Sequence, residues 1–573
     1  MSKNSNEKKV RKIATSSLHR FRFYVVFSFI FALLIHVVGL VPPFLMRNVI
    51  DDYIPNSDLR STVISVIFFV TIPIASTFLS TFYSYIITVA ARNTGRALTM
   101  LGFERLIYQP VTYFDNNNSA EVASYCKTEA MEYAVFWIFD IPRLFANILS
   151  GIIVYALVFR ESPYIAIGLL MYIPISILPS KALARMMEKH VKKIVENNAK
   201  TNQLMTSAFK GIKFVKSMML ERAQLSKIKA INDDTITVWS KTAAIEKLNA
   251  NWTDNFVDNL FLGAIFSVSA IMIINDMATL GMLVLLISYS PLFFSSIKSI
   301  ANANFQFASQ LARFDKFFEI LVMDDESKHL NEGLEFTFEK AINFNDVSFS
   351  YVKERGDVLK GLSIELEKGK WIGIIGPSGA GKTTIFDLIL KLYGGYSGSI
   401  QVDGIDIKGI STKSLRNSIT KVSQDLFLFP GTLKENLLLI NPNATYEELK
   451  GTIEEVGLEK LIDGLPSGLD THVGEDGLLL SGGEKQRFCL AMGLLRGSKV
   501  LLLDEVTASV DSVSEELIKT KIVNLMKSHD LTVIAISHRL GFLENADYIL
   551  VLENGILKEQ KRSTAIPKTP REH

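Results

Sequence analysis

Residues 372–392 read Ile-Gly-Ile-Ile-Gly-Pro-Ser-Gly-Ala-Gly-Lys-Thr-Thr-Ile-Phe-Asp-Leu-Ile-Leu-Lys-Leu. An apolar strand, Ile372 to Ile375, runs into a glycine-rich loop that closes on Lys382 and Thr383, and a helical segment, Thr384 to Leu392, follows. Strand, glycine loop and helix in that order form the context a phosphate-binding loop requires. Gly376, Ser378, Gly379 and Gly381 let backbone N–H groups wrap phosphate oxygens, and the helix N-terminus at Thr384 adds favourable potential. Lys382 is expected to reach the β- and γ-phosphates of ATP, and the Thr383 hydroxyl to bind Mg²⁺. This stretch therefore predicts an α/β P-loop nucleotide-binding domain.

Downstream, a second apolar strand, Val500 to Leu503, ends in Asp504-Glu505. An acidic pair at the end of a buried strand is costly unless it has a task. Here the pair predicts Asp504 on Mg²⁺, directly or through water, and Glu505 polarising an attacking water.

Upstream, the composition changes. Hydrophobic residues make up 48% of the 573-residue chain and charged residues 21%, but the long apolar runs all fall before residue 300. Runs of about 18 residues or more are long enough to cross a bilayer as helix. Six spans are expected, at 23–46, 61–90, 138–159, 162–180, 254–274 and 280–300, the fourth weakened by Pro163, Pro174 and Pro179. Lys and Arg are rich in the N-terminal tail and in the connections after the second and fourth spans, and sparse in the connections after the first, third and fifth, which predicts both termini on the cytoplasmic side. The tail, polar and basic, leads into an apolar run ending in Val41-Pro42-Pro43, which reads as a first span rather than a cleaved signal. The two long connections hold few Gly or Pro and keep helical spacing (Leu204, Phe209, Ile212, Val215, Met219), so the spans are expected to continue beyond the bilayer as helices. The whole is read as an all-α six-helix transmembrane domain (1–322), a linker (323–340) and the nucleotide-binding domain (341–573). The net charge of +2 gives no signal for nucleic acid, and the two cysteines, Cys126 and Cys489, have neither metal spacing nor a disulfide framework.

Between the two nucleotide motifs lies Leu480-Ser-Gly-Gly-Glu-Lys-Gln-Arg487. This stretch resembles the signature of ABC ATPases, and other members of that family's motif set occur in order around it. Tyr351 resembles the aromatic residue that stacks on adenine. Gln424 resembles the Q-loop glutamine, which implies a further Mg²⁺ contact. Asp511 resembles the D-loop aspartate and His538 the switch histidine. Val473-Gly-Glu-Asp-Gly477 resembles the short motif that exporter-type members place against the partner's cytosolic helices, and Arg105 to Phe114 and Phe209 to Glu221 resemble their first and second intracellular loops. Two departures are visible: Val510 where the D-loop usually has Leu, and a C-terminal tail from about Gln560 without the usual Gly-Thr-His continuation.

The resemblance implies a half-transporter. The P-loop of one copy and Ser481-Gly482-Gly483 of another would sandwich each ATP, and hydrolysis would drive export by alternating access. Because every catalytic position keeps the active residue, a homodimer suffices, with a related half-transporter as the other possible partner. The wording is that of a bacterial inner membrane protein. Peptide or amphipathic drug-like cargo is the first expectation, a lipid or lipid-linked oligosaccharide the second; an ATP-gated channel or regulator is a third possibility against which the intact Glu505 and His538 argue. The sequence holds one local hint of cargo. Asp254 and Asp258, with Asn251, Asn255 and Asn259, form a polar stripe at the inner edge of the fifth span, near Asp140 and Arg143 of the third. Carboxylates near lipid usually face a cavity or a partner, so the stripe is read either as cavity lining or as a structural or solvated network.

Overall fold

A computed structural model of the chain describes residues 19–117, 122–123, 125–323, 326, 330–335, 337–352, 356–423, 427–473, 480–506 and 512–562. It packs as two units: Met1–Ile107 with Ser119–Met323, and Tyr108–Asn118 with Asp324–His573.

The first unit is helical. Among the described residues, six helices are long and apolar enough to cross a membrane: Phe21–Tyr53, Leu59–Ile107, Tyr125–Glu161, Pro163–Lys210, Glu221–Ile274 and Leu280–Ile300. The second holds 49 residues, about 70 Å of helix, against about 30 Å of bilayer hydrocarbon. It therefore continues well past the membrane. The fourth and fifth do the same and are joined through a short helix, Ile212–Ser217. Lys193 and Asn197 of the fourth meet Asp234 of the fifth at 2.8 and 2.9 Å, holding the extensions together.

The prolines of the fourth span are accommodated individually. Pro163 opens its helix, where no intrahelical donor is needed, and the Ser162 side chain caps the Ile165 N–H. The helix breaks at Met171 and resumes at Tyr172, so that Pro174 falls in a new first turn. Small residues permit close packing: a Cβ at Gly151 of the third span would meet Ser296 of the sixth at 2.6 Å. At the opposite end from the extensions, Arg47 pairs with Glu161 at 2.7 Å, while Asp51 accepts from Thr279 and from the Gly281 N–H, tying the first span to the third and sixth. Large apolar side chains such as Phe78, Phe82 and Tyr85 lie exposed on the second span, as a lipid-facing surface requires.

The second unit is α/β. Its main sheet runs β12-β11-β3-β10-β9-β6, where β3 is Trp371–Ile375, β6 Ile419–Val422, β9 Val500–Asp504, β10 Thr532–Ile536, β11 Tyr548–Glu553 and β12 Ile556–Arg562. All pairings are parallel except β11 with β12. A smaller antiparallel sheet, β2-β1-β4-β5, is built from β1 Ala341–Phe349, β2 Leu359–Glu367, β4 Ser397–Val402 and β5 Ile405–Asp406, and a short ribbon pairs β7 Gly431–Thr432 with β8 His472–Val473. The parallel strands are apolar on both faces, as buried parallel sheet must be. Val500, Leu502, Ile534 and Ile536 join one apolar cluster, and their neighbours Leu501, Leu503, Val533 and Ala535 join another. The helix Lys382–Ile389 (α1) packs into the first cluster, and the helix Gly482–Leu495 (α2) into the second.

Candidate nucleotide site

The C-terminal ends of β3, β9 and β10 lie side by side in the sheet, and each delivers part of the site. Ligands collect at this edge in open parallel sheets because the following helices start there.

After β3 the chain turns through Gly376 to Gly381. A Cβ at Gly376 would collide with the carbonyl oxygen of Leu552, so only glycine lets the loop lie against β11. Gly381 has φ +91, a left-handed conformation, and caps α1. Ser378 and Gly379 are exposed on the loop, whereas Lys382 and Thr384 are buried beneath it. The Lys382 ammonium lies 2.9 Å from the Gly376 carbonyl and 3.0 Å from that of Pro377. Burial pushes this ammonium down from its ordinary range, and the carboxylates of Glu505 and Asp504 oppose the shift.

Thr383 follows, and its Oγ1 donates to Asp504 Oδ1 at 3.2 Å. Burial raises the Asp504 carboxyl, with Lys421 and Thr383 pulling it back down. A hydroxyl and a carboxylate brought together in this way are hard oxygen donors, the set that suits Mg²⁺. Glu505, the next residue, has φ +52, an uncommon conformation for a residue with a side chain. Its N–H donates to the Ile536 carbonyl at 3.0 Å, and its Oε1 lies 3.0 Å from His538 Nε2. Strained backbone of this kind persists where the surroundings hold it, often at reacting sites.

Tyr351 comes from the smaller sheet's side. Its ring packs edge-on to Phe349 and Tyr393, and its hydroxyl is 3.1 Å from Thr384 Oγ1 and 3.3 Å from Asp387 Oδ2. Burial pushes this phenol up to about 12, so it stays a donor. Tyr393 in turn donates to Asp115 at 2.7 Å, which anchors the short helix Val111–Asn116 on this unit.

Ser481 stands apart from this cluster, at the start of α2. Its side chain accepts from the Glu484 N–H and Glu484 accepts from the Ser481 N–H, a reciprocal cap that leaves Gly482 exposed at the helix N-terminus and Gly483 buried. Thus Lys382, Thr383, Asp504, Glu505, His538 and Tyr351 converge, while Ser481-Gly482-Gly483 sits on a helix of the opposite apolar cluster. Gln424, Asp511 and residues 474–477 lie outside the described residues. Sequence reasoning missed Lys421 and Asp387: Lys421 on β6 is 2.8 Å from Asp387 Oδ1 and 3.4 Å from Asp504 Oδ2. A lysine in a short edge strand whose ends, Ile419 and Val422, are buried, and an aspartate in an apolar helix, were the available signals.

In the membrane unit, Asp254 and Asp258 do come together, but not with the expected neighbours. Lys298 of the sixth span lies 2.8 Å from each, and Tyr172 of the fourth donates to Asp258 at 2.8 Å. Arg143 instead lies over the Phe139 ring of its own helix. The correction has a physical cause: Tyr172 and Phe294 stack at 4.3 Å in the same apolar cluster as Val257, which brings spans four, five and six together at this level.

A six-span helical unit followed by a P-loop ATP hydrolase defines the class: a membrane transporter powered by ATP. The ABC transporter family model matches residues 359–508, and the ABC transporter transmembrane region matches residues 25–297. The ATP-dependent lipid A-core flippase of Pasteurella multocida is 31% identical over 80% of this chain and 78% of its own length. A fatty acid ABC transporter ATP-binding/permease protein of Mycobacterium bovis is 29% identical over 79% and 71%. Among solved structures, a bacterial Atm1-family ABC exporter with ATP bound matches with a TM-score of 0.84 at 23% identity, over 95% of this chain and 96% of that one. The chain belongs to the ABC transporter family. It is an integral membrane half-transporter of the exporter type that couples ATP hydrolysis to transport.

Proposed function

We propose that two copies of this chain form a homodimer in a bacterial inner membrane, with both termini cytoplasmic, and export an amphipathic molecule by alternating access. The observation that carries this reading is the convergence of Lys382, Thr383, Asp504, Glu505 and His538 at one sheet edge, with Ser481-Gly482-Gly483 on a helix of the other cluster. A site complete in acid, base and cation but separated from its signature calls for a second copy to supply it.

The residues fit ATP and Mg²⁺. Lys382 and the loop N–H groups would hold the phosphates, Tyr351 the base, and Thr383 with Asp504 the metal, with Gln424 as a further contact. Magnesium there would neutralise phosphate charge during transfer. Glu505 then orients and polarises the attacking water, and His538, 3.0 Å away, holds the Glu505 carboxylate in place. Asp511 would complete the interface between copies.

The cargo is the finer part. The named relatives are a lipid A-core flippase and a fatty acid transporter, and lipids share an apolar part with the amphipathic peptide and drug-like molecules expected from the sequence. A lipid flippase is therefore the second reading. Asp258 is spoken for by Lys298 and Tyr172, whereas Asp254 shares Lys298 and keeps an exposed side; of the two, Asp254 is the candidate for cargo. The experiment is a screen in nanodiscs, reading stimulation of ATPase by cationic amphipaths, peptides, fatty acids and glycolipids. Stimulation by an amphipath supports the reading. Stimulation by none of them, with basal turnover intact, counts against it.

A further inference from the structure

We propose that Lys421 and Asp387 are a positioning pair for the magnesium-binding carboxylate of Asp504, linking it to the tyrosine at the nucleobase end of the site. The proposal rests on the assignment of Asp504 to Mg²⁺ given above.

The contacts form one line. The Tyr351 hydroxyl is 3.3 Å from Asp387 Oδ2; Asp387 Oδ1 is 2.8 Å from Lys421 Nζ; Lys421 Nζ is 3.4 Å from Asp504 Oδ2; and Asp504 Oδ1 accepts from Thr383 at 3.2 Å. The two oxygens of Asp504 are therefore distinguished. One is held by Lys421, and the other is turned to the hydroxyl with which it would share the metal. Lys421, Asp387 and Asp504 have side chains only 16%, 14% and 12% exposed, so their contacts are little screened by water.

The fold explains why these residues meet. β6 pairs with β9, with Lys421 opposite Leu502 and Val422 opposite Leu503. Ile419, two residues before Lys421 and hence on the same face of the strand, joins the apolar cluster that holds α1, while Val422 joins the other. Lys421 thus points to the side on which α1 carries Asp387. A lysine is ordinarily expensive there; it is retained with an acid on each side.

Charge alone does not account for the pair. Asp387 and Lys421 carry no net charge together, but the ammonium is the one in contact with Asp504, so the pair presents its positive end there and by charge alone disfavours a dication. Deleting the lysine alone would leave two acids to attract a dication more strongly, and deleting the aspartate alone would do the reverse. What the pair supplies against that is orientation. The isoelectric double substitution Asp387→Asn with Lys421→Met removes both; loss of the charge effect alone would lower half-saturating Mg²⁺, so a rise reads the lost orientation.

The test uses the full-length protein in nanodiscs and a fluorescent ATP analogue, titrated with nucleotide in EDTA and with Mg²⁺ at fixed nucleotide. For the double variant the expected result is unchanged affinity in EDTA and a severalfold rise in half-saturating Mg²⁺. Lys421→Arg, which keeps the charge and both contacts, should restore most of the response. An unchanged Mg²⁺ midpoint in the double variant overturns the proposal, as does an equal loss in EDTA. Should the double variant fail to fold, Tyr351→Phe keeps the ring and all charges while freeing Asp387. It should shift the Mg²⁺ midpoint in the same direction by less, and no shift overturns the proposal. Asp504→Asn separates the two levels. If it leaves the Mg²⁺ response intact, the assignment of Asp504 fails; if it abolishes the response while the double variant has none of the expected shift, the pair alone fails.

Discussion

Glu505 carries the residue-scale case. Its backbone is left-handed and its carboxylate contacts His538 at 3.0 Å, whereas Thr383 and Asp504, the residues assigned to the metal, contact each other. Glu505→Gln keeps the shape and removes the base, so turnover should fall about 100-fold or more while ATP binding is retained. Steady-state hydrolysis with a parallel binding titration checks this, and normal turnover would refute the role. Lys382 makes the complementary case. Its ammonium contacts the Gly376 and Pro377 carbonyls of the loop proposed to hold the phosphates. Lys382→Ala removes a charge-assisted contact of about 1.5–3 kcal/mol, so nucleotide affinity itself should drop about tenfold or more, as direct titration would read. At this scale the sequence was informative because P-loop chemistry requires contiguous residues. Lys382 and Thr383 are neighbours in the chain, and so are Asp504 and Glu505. Lys421 was not legible, since its meaning depends on which residue of a distant helix faces it.

Among the elements, the six spans and the α/β alternation follow from run length and from strands that are apolar on both faces. The length of the fourth helix beyond the bilayer follows from the absence of breakers between Tyr172 and Lys210 other than Pro174, in the first turn, and Pro179, which the helix carries in its interior. Partner choice between spans does not follow. Asp254 and Asp258 announce a polar stripe, but helix rotation decides that Lys298, rather than Arg143, answers it. Lys298→Met would leave two carboxylates without their cation and should cost about 1–3 kcal/mol, lowering the thermal midpoint. Asp254→Asn, at a side chain 54% exposed, should leave the midpoint nearly unchanged. Thermal unfolding in detergent of the two variants checks the order. A larger loss for Asp254→Asn would contradict the view that Lys298 locks spans five and six.

For the molecule as a whole, the decisive feature is that the P-loop and the signature of one chain belong to helices on opposite faces of one sheet. If the ATP sites are shared between copies, defects should complement across copies and not within one. Lys382→Ala and Ser481→Arg are introduced either in separate copies or together in one copy, with the remaining copy wild type. In the first mixture one of the two composite sites keeps an intact lysine and an intact signature; in the second, each site has one defect. The most direct measurement is therefore ATPase activity of these two defined heterodimers, purified through different affinity tags and compared with each single-variant homodimer. Turnover well above background in the first and background in the second is the expected result. Equal activity in both would contradict a nucleotide site built from two copies of this chain.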